Sequence, residues 1–204
     1  YVRPIRAEPS DMPHPLRRKC AKWENHDAPM PITLQGGWLA EPVWCSLLPV
    51  FIYGAGHVGR ALAQVLNPMP NFDVCVNDTR LHELAKLPNG IKSSHIKPAE
   101  LMGTAGPNAA HLIMTPEHDH DLSLCHTVLQ RSFAYAGLIG SATKWARFRS
   151  RLAALGHDQA AISRIICPIG DAKLGKHPQA IAVGVAAQLL TIKAPERVKG
   201  DKRE

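Results

Sequence analysis

The chain has 204 residues, 45% hydrophobic and 20% charged, a globular balance with room for one α/β domain and an extra segment. No apolar run reaches the ~18 residues of a membrane span, and no secretory pattern opens the chain, so no membrane partner is expected. A net charge of +7 favours an anionic ligand, yet aromatics are only 5% and never interleave with basic residues, which argues against nucleic acid.

The chain opens on Tyr1 rather than Met, as a fragment of a longer protein would. Residues 1–48 carry Pro4, Pro9, Pro13, Pro15, Pro29, Pro31 and Pro42, which break helices. Ile32-Thr33-Leu34 and Gly37-Trp38-Leu39 are possible strands of a partial module. The segment reads as a linker and the remnant of a preceding domain. The structured domain is expected over 49–193 and a mobile charged tail over 194–204. The cysteines, Cys20, Cys45, Cys75, Cys125 and Cys167, include no C-x-x-C pair. An odd count without a signal sequence argues for a reducing cytoplasm. Cys75 and Cys125 fall in a predicted strand and helix, where buried free thiols are common.

The centre of the chain is Pro49-Val50-Phe51-Ile52-Tyr53-Gly54-Ala55-Gly56-His57-Val58-Gly59-Arg60, an apolar strand, a glycine turn and a helix start. Gly54-x-Gly56-x-x-Gly59 has the dinucleotide spacing. Gly54 permits the tight turn, Gly56 lets a phosphate approach bare backbone, and Gly59 lets the helix pack on the strand. The helix start offers unpaired N–H groups and a positive dipole end to an anion. The helix runs from His57 to Leu66, with Val58, Leu62, Val65 and Leu66 at helical spacing, and Asn67-Pro68 stops it.

A second strand, Phe72 to Asn77, ends at Asp78, 24 residues beyond Gly54, where such folds place the acid that holds a ribose diol. The other reading of Asp78 is a solvated strand-end residue that starts a turn. A short helix over Leu81–Leu87 and a weak strand over Ile91–Ile96 follow. Ala110–Met114 is apolar and brief, as a buried parallel strand should be. After Thr115-Pro116-Glu117-His118-Asp119-His120-Asp121, a helix carries Leu122, Cys125, Val128 and Leu129 on one face. A fifth strand, Phe133–Ile139, ends in Gly140-Ser141, with Ser141 a natural N-cap. The helix Ala142–Leu155 is expected to bury Trp145, Phe148, Leu152 and Leu155. A short helix near Asp158–Arg164, an extended run Ile165–Gly170 and a helix Pro178–Leu190 complete the domain. The last helix is apolar nearly all round, so it should be buried. Alternating strands and helices give an α/β, Rossmann-like parallel sheet with helices on both faces. Ligands then sit at the carboxyl ends of the strands, where Gly54, Asp78, Thr115 and Gly140 fall.

Several residues keep two readings. His118 and His120 with their acidic neighbours resemble a metal site, but Pro116 makes the stretch a turn and acids before a helix are ordinary. No metal is assigned there; His118 and Asp121 either hydrogen-bond a ligand or order the loop. His57 either meets a phosphate or ring, or is an exposed first-turn residue. Arg80, Lys144 and Arg147 are either phosphate partners or surface charge, with Lys144 closest to the strand ends. No nucleophile elbow or Cys/His pair is present, so no catalytic residue is assigned.

The motifs in series resemble the XdhC/CoxI family of xanthine dehydrogenase accessory proteins. Phe51 to Ala61 is similar to that family's glycine loop, and Asn77-Asp78-Thr79-Arg80 to its acidic-x-Arg strand end. Met114-Thr115 with His118 and Asp121 resembles its Thr-His-x-His-x-x-Asp block, and Gly137-Leu138-Ile139-Gly140-Ser141 with Lys144 and Arg147 the next block. Cys167-Pro168-Ile169-Gly170 and Gly175 to Val183 resemble its C-terminal signature. Pro116 stands where the family usually has its first His, His120 falls off the pattern, and the family's N-terminal domain is essentially absent. The resemblance implies a binder of molybdenum cofactor (molybdopterin), not itself an enzyme. It would protect the cofactor during sulfuration and deliver it to xanthine dehydrogenase in purine catabolism, with a cysteine desulfurase as second partner. The implied site is Gly54, Gly56, His57, Gly59, Asp78, Arg80, Thr115, His118, Asp121, Gly140, Ser141 and Lys144. The alternatives are an NAD(P)-dependent oxidoreductase and a non-catalytic dimerisation module. For a homodimer, Ala180, Gly184 and Ala187 offer a small-residue helix face, though core packing explains them as well.

Overall fold

A computed structural model describes residues 2–4, 11–23, 32–41 and 47–192. Contacts divide the chain into two compact units, Tyr1–Cys45 and Ser46–Glu204. The expected tail over 194–204 and Cys45 lie outside the described residues. Among the described residues no helix is long and apolar enough to cross a membrane.

In the first unit, β1 (Val2–Pro4), β2 (Thr33–Gln35) and β3 (Trp38–Ala40) form an antiparallel sheet in the order β1-β3-β2. Gly36 and Gly37, both at positive φ, make the two-residue turn between β2 and β3. A helix also forms here, α1 (His14–Trp23), against the expectation that the prolines exclude one. Pro13 and Pro15 stand at its first turn, where a missing N–H costs nothing. Leu16 N–H and Arg17 N–H both donate to the Pro13 carbonyl.

The second unit is built on β4 (Leu48–Tyr53), β5 (Phe72–Asn77), β6 (Lys92–Ser94), β7 (Ala110–Ile113), β8 (Tyr135–Leu138) and β9 (Ile165–Ile166). The order is β6-β5-β4-β7-β8-β9, parallel throughout. The helices are α2 (His57–Leu66), α3 (Leu81–Leu84), α4 (Pro98–Thr104), α5 (His118–Leu129), α6 (Ala142–Ala154), α7 (Gln159–Ile162) and α8 (Pro178–Leu190). The direction of strand succession reverses between β4 and β7, which opens a crevice at their carboxyl ends. The sheet buries both faces. Val50, Ile52, Val74 and Leu112 pack with Leu62 and Leu66 of α2 and Val185 and Leu189 of α8. Tyr53, Ile113 and Leu138 pack with Met102 of α4, Leu124 and Val128 of α5, and Phe148 and Leu152 of α6. The strand periodicity of two delivers this split, with Val50 and Ile52 facing one layer and Tyr53 the other.

Three expectations change. The sequence reading placed nothing over 97–109, where α4 forms behind Pro98. Leu155 is 53% exposed, because the chain leaves the helix there and Leu155 is only its C-cap. Helix α8 is buried on one side only: Val183 and Leu190 are about half exposed. Gly184 packs within its own chain, since a Cβ there would stand 2.7 Å from Asp171 N.

Inside the second layer His111 is 2% exposed, stacked between Phe51 and Tyr53, and shares a 2.9 Å hydrogen bond with the Tyr53 hydroxyl. Burial holds its imidazole down to about 4. The unfolded chain binds that proton near its ordinary value of about 6.5, so stability is full above that value and falls as pH drops toward 4. We expect a loss of about 2–3 kcal/mol between pH 7 and pH 4.5 from this group. Urea denaturation at both pH values measures it, and His111→Phe should flatten that part of the slope.

Candidate functional site

The glycine loop follows from where its backbone must go. Gly54 has φ +120, a region L side chains rarely adopt, and a Cβ there would overlap the Met114 carbonyl oxygen of the neighbouring strand end. A Cβ on Gly59 would overlap the Gly54 carbonyl oxygen. These two glycines hold strand, turn and helix together. Gly56 differs: its φ of −66 suits any residue, and nothing lies within 4 Å of where its Cβ would be. Its backbone faces open space at the N-cap of α2. The N–H groups of His57, Val58 and Gly59 precede the first intrahelical bond, from Arg60 N–H to Gly56 O at 3.0 Å. No acidic residue occupies that first turn. His57 is exposed there.

Other loop groups are already committed. Gly54 N–H donates to Asn77 O at 2.7 Å, Ala55 N–H to Asp78 Oδ2 at 2.8 Å, and Arg60 Nη1 donates to Ala55 O at 2.6 Å. Arg60 also pairs with Glu83 of α3. Asp78, 5% exposed, uses both oxygens: Oδ1 accepts from Arg80 N–H and Nε, Oδ2 from Ala55 N–H and Arg80 Nη2. Burial pushes its carboxyl up, but the bonds from Arg80 and the loop backbone outweigh that and hold it below its ordinary value. Asp78 thus ties the second strand end to the glycine turn, and Arg80 spends a two-pronged contact on it.

The second cluster lies at the ends of β7 and β8. Asp121 is fully buried at the start of α5. Its Oδ1 accepts from Thr115 N–H at 2.9 Å and Thr115 Oγ1 at 2.8 Å, and its Oδ2 from Lys144 Nζ at 2.6 Å. Lys144 Nζ also donates to Ile139 O, and Ser141 Oγ caps α6 by accepting from Lys144 N–H. A Cβ on Gly140 would stand 2.8 Å from Lys144 Cδ, so Gly140 makes room for that side chain. Asp121, Thr115, Ser141 and Lys144 therefore order the strand ends.

A cavity of about 360 Å³ opens in the crevice. Of the residues singled out by sequence, Gly54, Asp78, Arg80 and Thr115 line it; Gly56, His57, Gly59, His118, Asp121, Gly140, Ser141 and Lys144 do not. His118 is exposed at the first turn of α5, while His120, set aside by sequence, is in the wall. Asn77, Lys97, Pro98 and Leu124 also line it. Lys97-Pro98 behind a weak strand was a helix-start signal that could have found part of this wall. Among the described residues no three His, Cys, Asp or Glu side chains converge as a metal group. Burial pushes the Cys167 thiol, beside Gly140, up to about 11, so it is no thiolate nucleophile at neutral pH.

A parallel sheet in this order, a tight glycine turn at the switch point and an uncapped helix start define a Rossmann-type binding domain. The XdhC Rossmann-domain family model matches residues 50–189, and the chain belongs to that family. It is 30% identical over 150 residues to the uncharacterized protein YqeB of Escherichia coli K12, covering 70% of this chain and 27% of that one. A solved structure described as a xanthine dehydrogenase from Bacillus halodurans matches with TM-score 0.60 at 23% identity, over 72% of this chain and 44% of that one. The chain thus spans less than half the length of each, and the structural likeness is one of fold.

Proposed function

We propose that this domain holds the phosphate-bearing end of molybdenum cofactor within a xanthine dehydrogenase accessory protein. That protein protects the cofactor and delivers it in sulfurated form, with xanthine dehydrogenase and a cysteine desulfurase as partners. The observation that carries the reading is the open face of Gly56 above the free N–H groups of α2. No atom of the described residues crowds that backbone, so an anion can approach the helix start directly. Gly56 and the backbone of His57 to Gly59 would hold the phosphate. The bound cofactor supplies the molybdenum centre; this chain's residues bind and orient it. Family membership supports the accessory role. The NAD(P)-dependent oxidoreductase reading needs a carboxylate free for a ribose diol, and both Asp78 oxygens already accept from protein donors.

Gly56→Asp tests it. The extended backbone at this N-cap suits Asp, whose side chain caps the helix, so stability should hold within a few tenths of a kcal/mol. The added carboxylate covers that open backbone and repels an anion. Anaerobic calorimetry should show cofactor affinity falling by about 100-fold, some 3 kcal/mol, with an unchanged melting temperature. Equal affinity in variant and wild type removes the phosphate from this loop.

A further inference from the structure

We infer that His126 and His157 form a binding site for a divalent transition-metal ion, which joins the C-terminal ends of α5 and α6. His126 Nδ1 lies 2.7 Å from His157 Nε2, with the rings edge to face and their centroids 4.8 Å apart. His126 stands in the last turn of α5. His157 stands in the short connection between α6 and α7, where Gly156 turns the chain at φ +93 and His157 N–H donates to Leu152 O at 3.2 Å. Both side chains are half-buried, so the pair is reached from solvent. Helices α5 and α6 begin at the carboxyl ends of the strands, and the pair sits toward their other ends. His126 is eight residues beyond His118, about 12 Å along the helix. The site is therefore separate from the crevice, and the inference is independent of the cofactor reading.

The surroundings suit a cation. Neutral imidazoles are the donors that zinc, copper and nickel take. Burial and the neighbouring His126 hold the His157 imidazole below its ordinary value, so it keeps its lone pair at pH 7. The negative ends of two helices favour positive charge, and Asp158 adds a carboxylate beside His157. Two nitrogens bound to one tetrahedral ion stand about 3.3 Å apart, so the pair opens by about 0.6 Å. The exposed residues on either side of His157, Gly156 and Asp158, leave its ring room to turn. Gln130 is placed as the outer partner. Its amide nitrogen lies 3.1 Å from His126 Nε2. With the amide turned over, its oxygen accepts the Nε2 proton and leaves the Nδ1 lone pair to the ion. The proton count is unchanged: each neutral ring keeps one proton, on the nitrogen remote from the metal. Water fills the remaining positions, as two protein ligands require.

The test is calorimetry of the metal-free chain at neutral pH with copper(II), nickel(II), zinc and magnesium. We expect copper(II) to bind most tightly, nickel(II) and zinc next, and magnesium not at all. Gln130→Ala, at an exposed position, should weaken copper(II) by about 10-fold. His126→Gln and His157→Gln each remove a ligand and should cost at least as much. Melting of the metal-free variants checks that each is folded. With one equivalent of copper(II), electron paramagnetic resonance should show two coordinated imidazole nitrogens in the wild type and one in His157→Gln. Equal copper(II) affinity in the wild type and the folded histidine variants overturns the inference. So does a wild type that binds none of the three transition metals. A copper(II) signal with a single nitrogen in the wild type also overturns it, and that result stands even where a histidine variant fails to fold.

Discussion

Gly59→Ala is expected to lower stability by about 3 kcal/mol or more, at the upper end of what overpacking costs. The added Cβ would overlap the Gly54 carbonyl oxygen, with Gly54 C at 3.0 Å and Ile52 Cγ2 at 3.5 Å. The nearest atoms are backbone, so no side-chain rotation relieves the clash. Relief requires α2 to move off β4, which loosens the packing of Leu62 and Leu66 on Ile52 and Val50. For a domain of this size the melting temperature should drop by about 10 °C. Gly56→Ala, three residues earlier in the same motif, meets nothing within 4 Å and should lose no more than the roughly 1 kcal/mol that Ala costs at an N-cap. A Gly59→Ala protein that melts within 2 or 3 degrees of wild type, roughly 1 kcal/mol, would mean the helix has slack against the strand.

Lys144→Met carries the second large effect, about 3 kcal/mol. The Lys144 side chain is 10% exposed and that of Asp121 fully buried, and their contact is 2.6 Å. Removing the ammonium leaves a buried carboxylate with only the two Thr115 donors. Breaking one side of such a pair costs more than removing both, because the survivor keeps its desolvation penalty. The double variant Asp121→Asn, Lys144→Met should therefore be more stable than Lys144→Met alone. Urea denaturation of the wild type, both single variants and the double variant closes the cycle. A double variant no better than Lys144→Met would show that the pair contributes through packing, for instance of Lys144 over the Phe148 ring at 5.3 Å.

The glycine loop was legible because Gly54 and Gly59 stand where a Cβ would overlap backbone, while Gly56, which no neighbour crowds, was read from the motif spacing alone. The bounds of α2 and α8 were legible too, from Asn67-Pro68 behind one and Pro178 at the start of the other. The strand ends were placed correctly, but the partnerships among their side chains were not. Asp78 and Arg80 are two residues apart, yet nothing local says that they pair with each other, with Asp78 also bonded to the glycine turn, rather than with a ligand. Asp121 and Lys144 sit on different helices and meet only once β7 and β8 are side by side. The wall formed by α4 was lost although the strand before it was read, because α4 is only seven residues long and its one start signal is Lys97-Pro98.

The most direct measurement is anaerobic calorimetry of the wild-type chain with molybdenum cofactor, NADH and NADPH in parallel. The account predicts that the cofactor binds and that neither reduced nicotinamide displaces it at comparable concentration. Tight NADH or NADPH binding with no heat from the cofactor would contradict it and make the glycine loop a dinucleotide site.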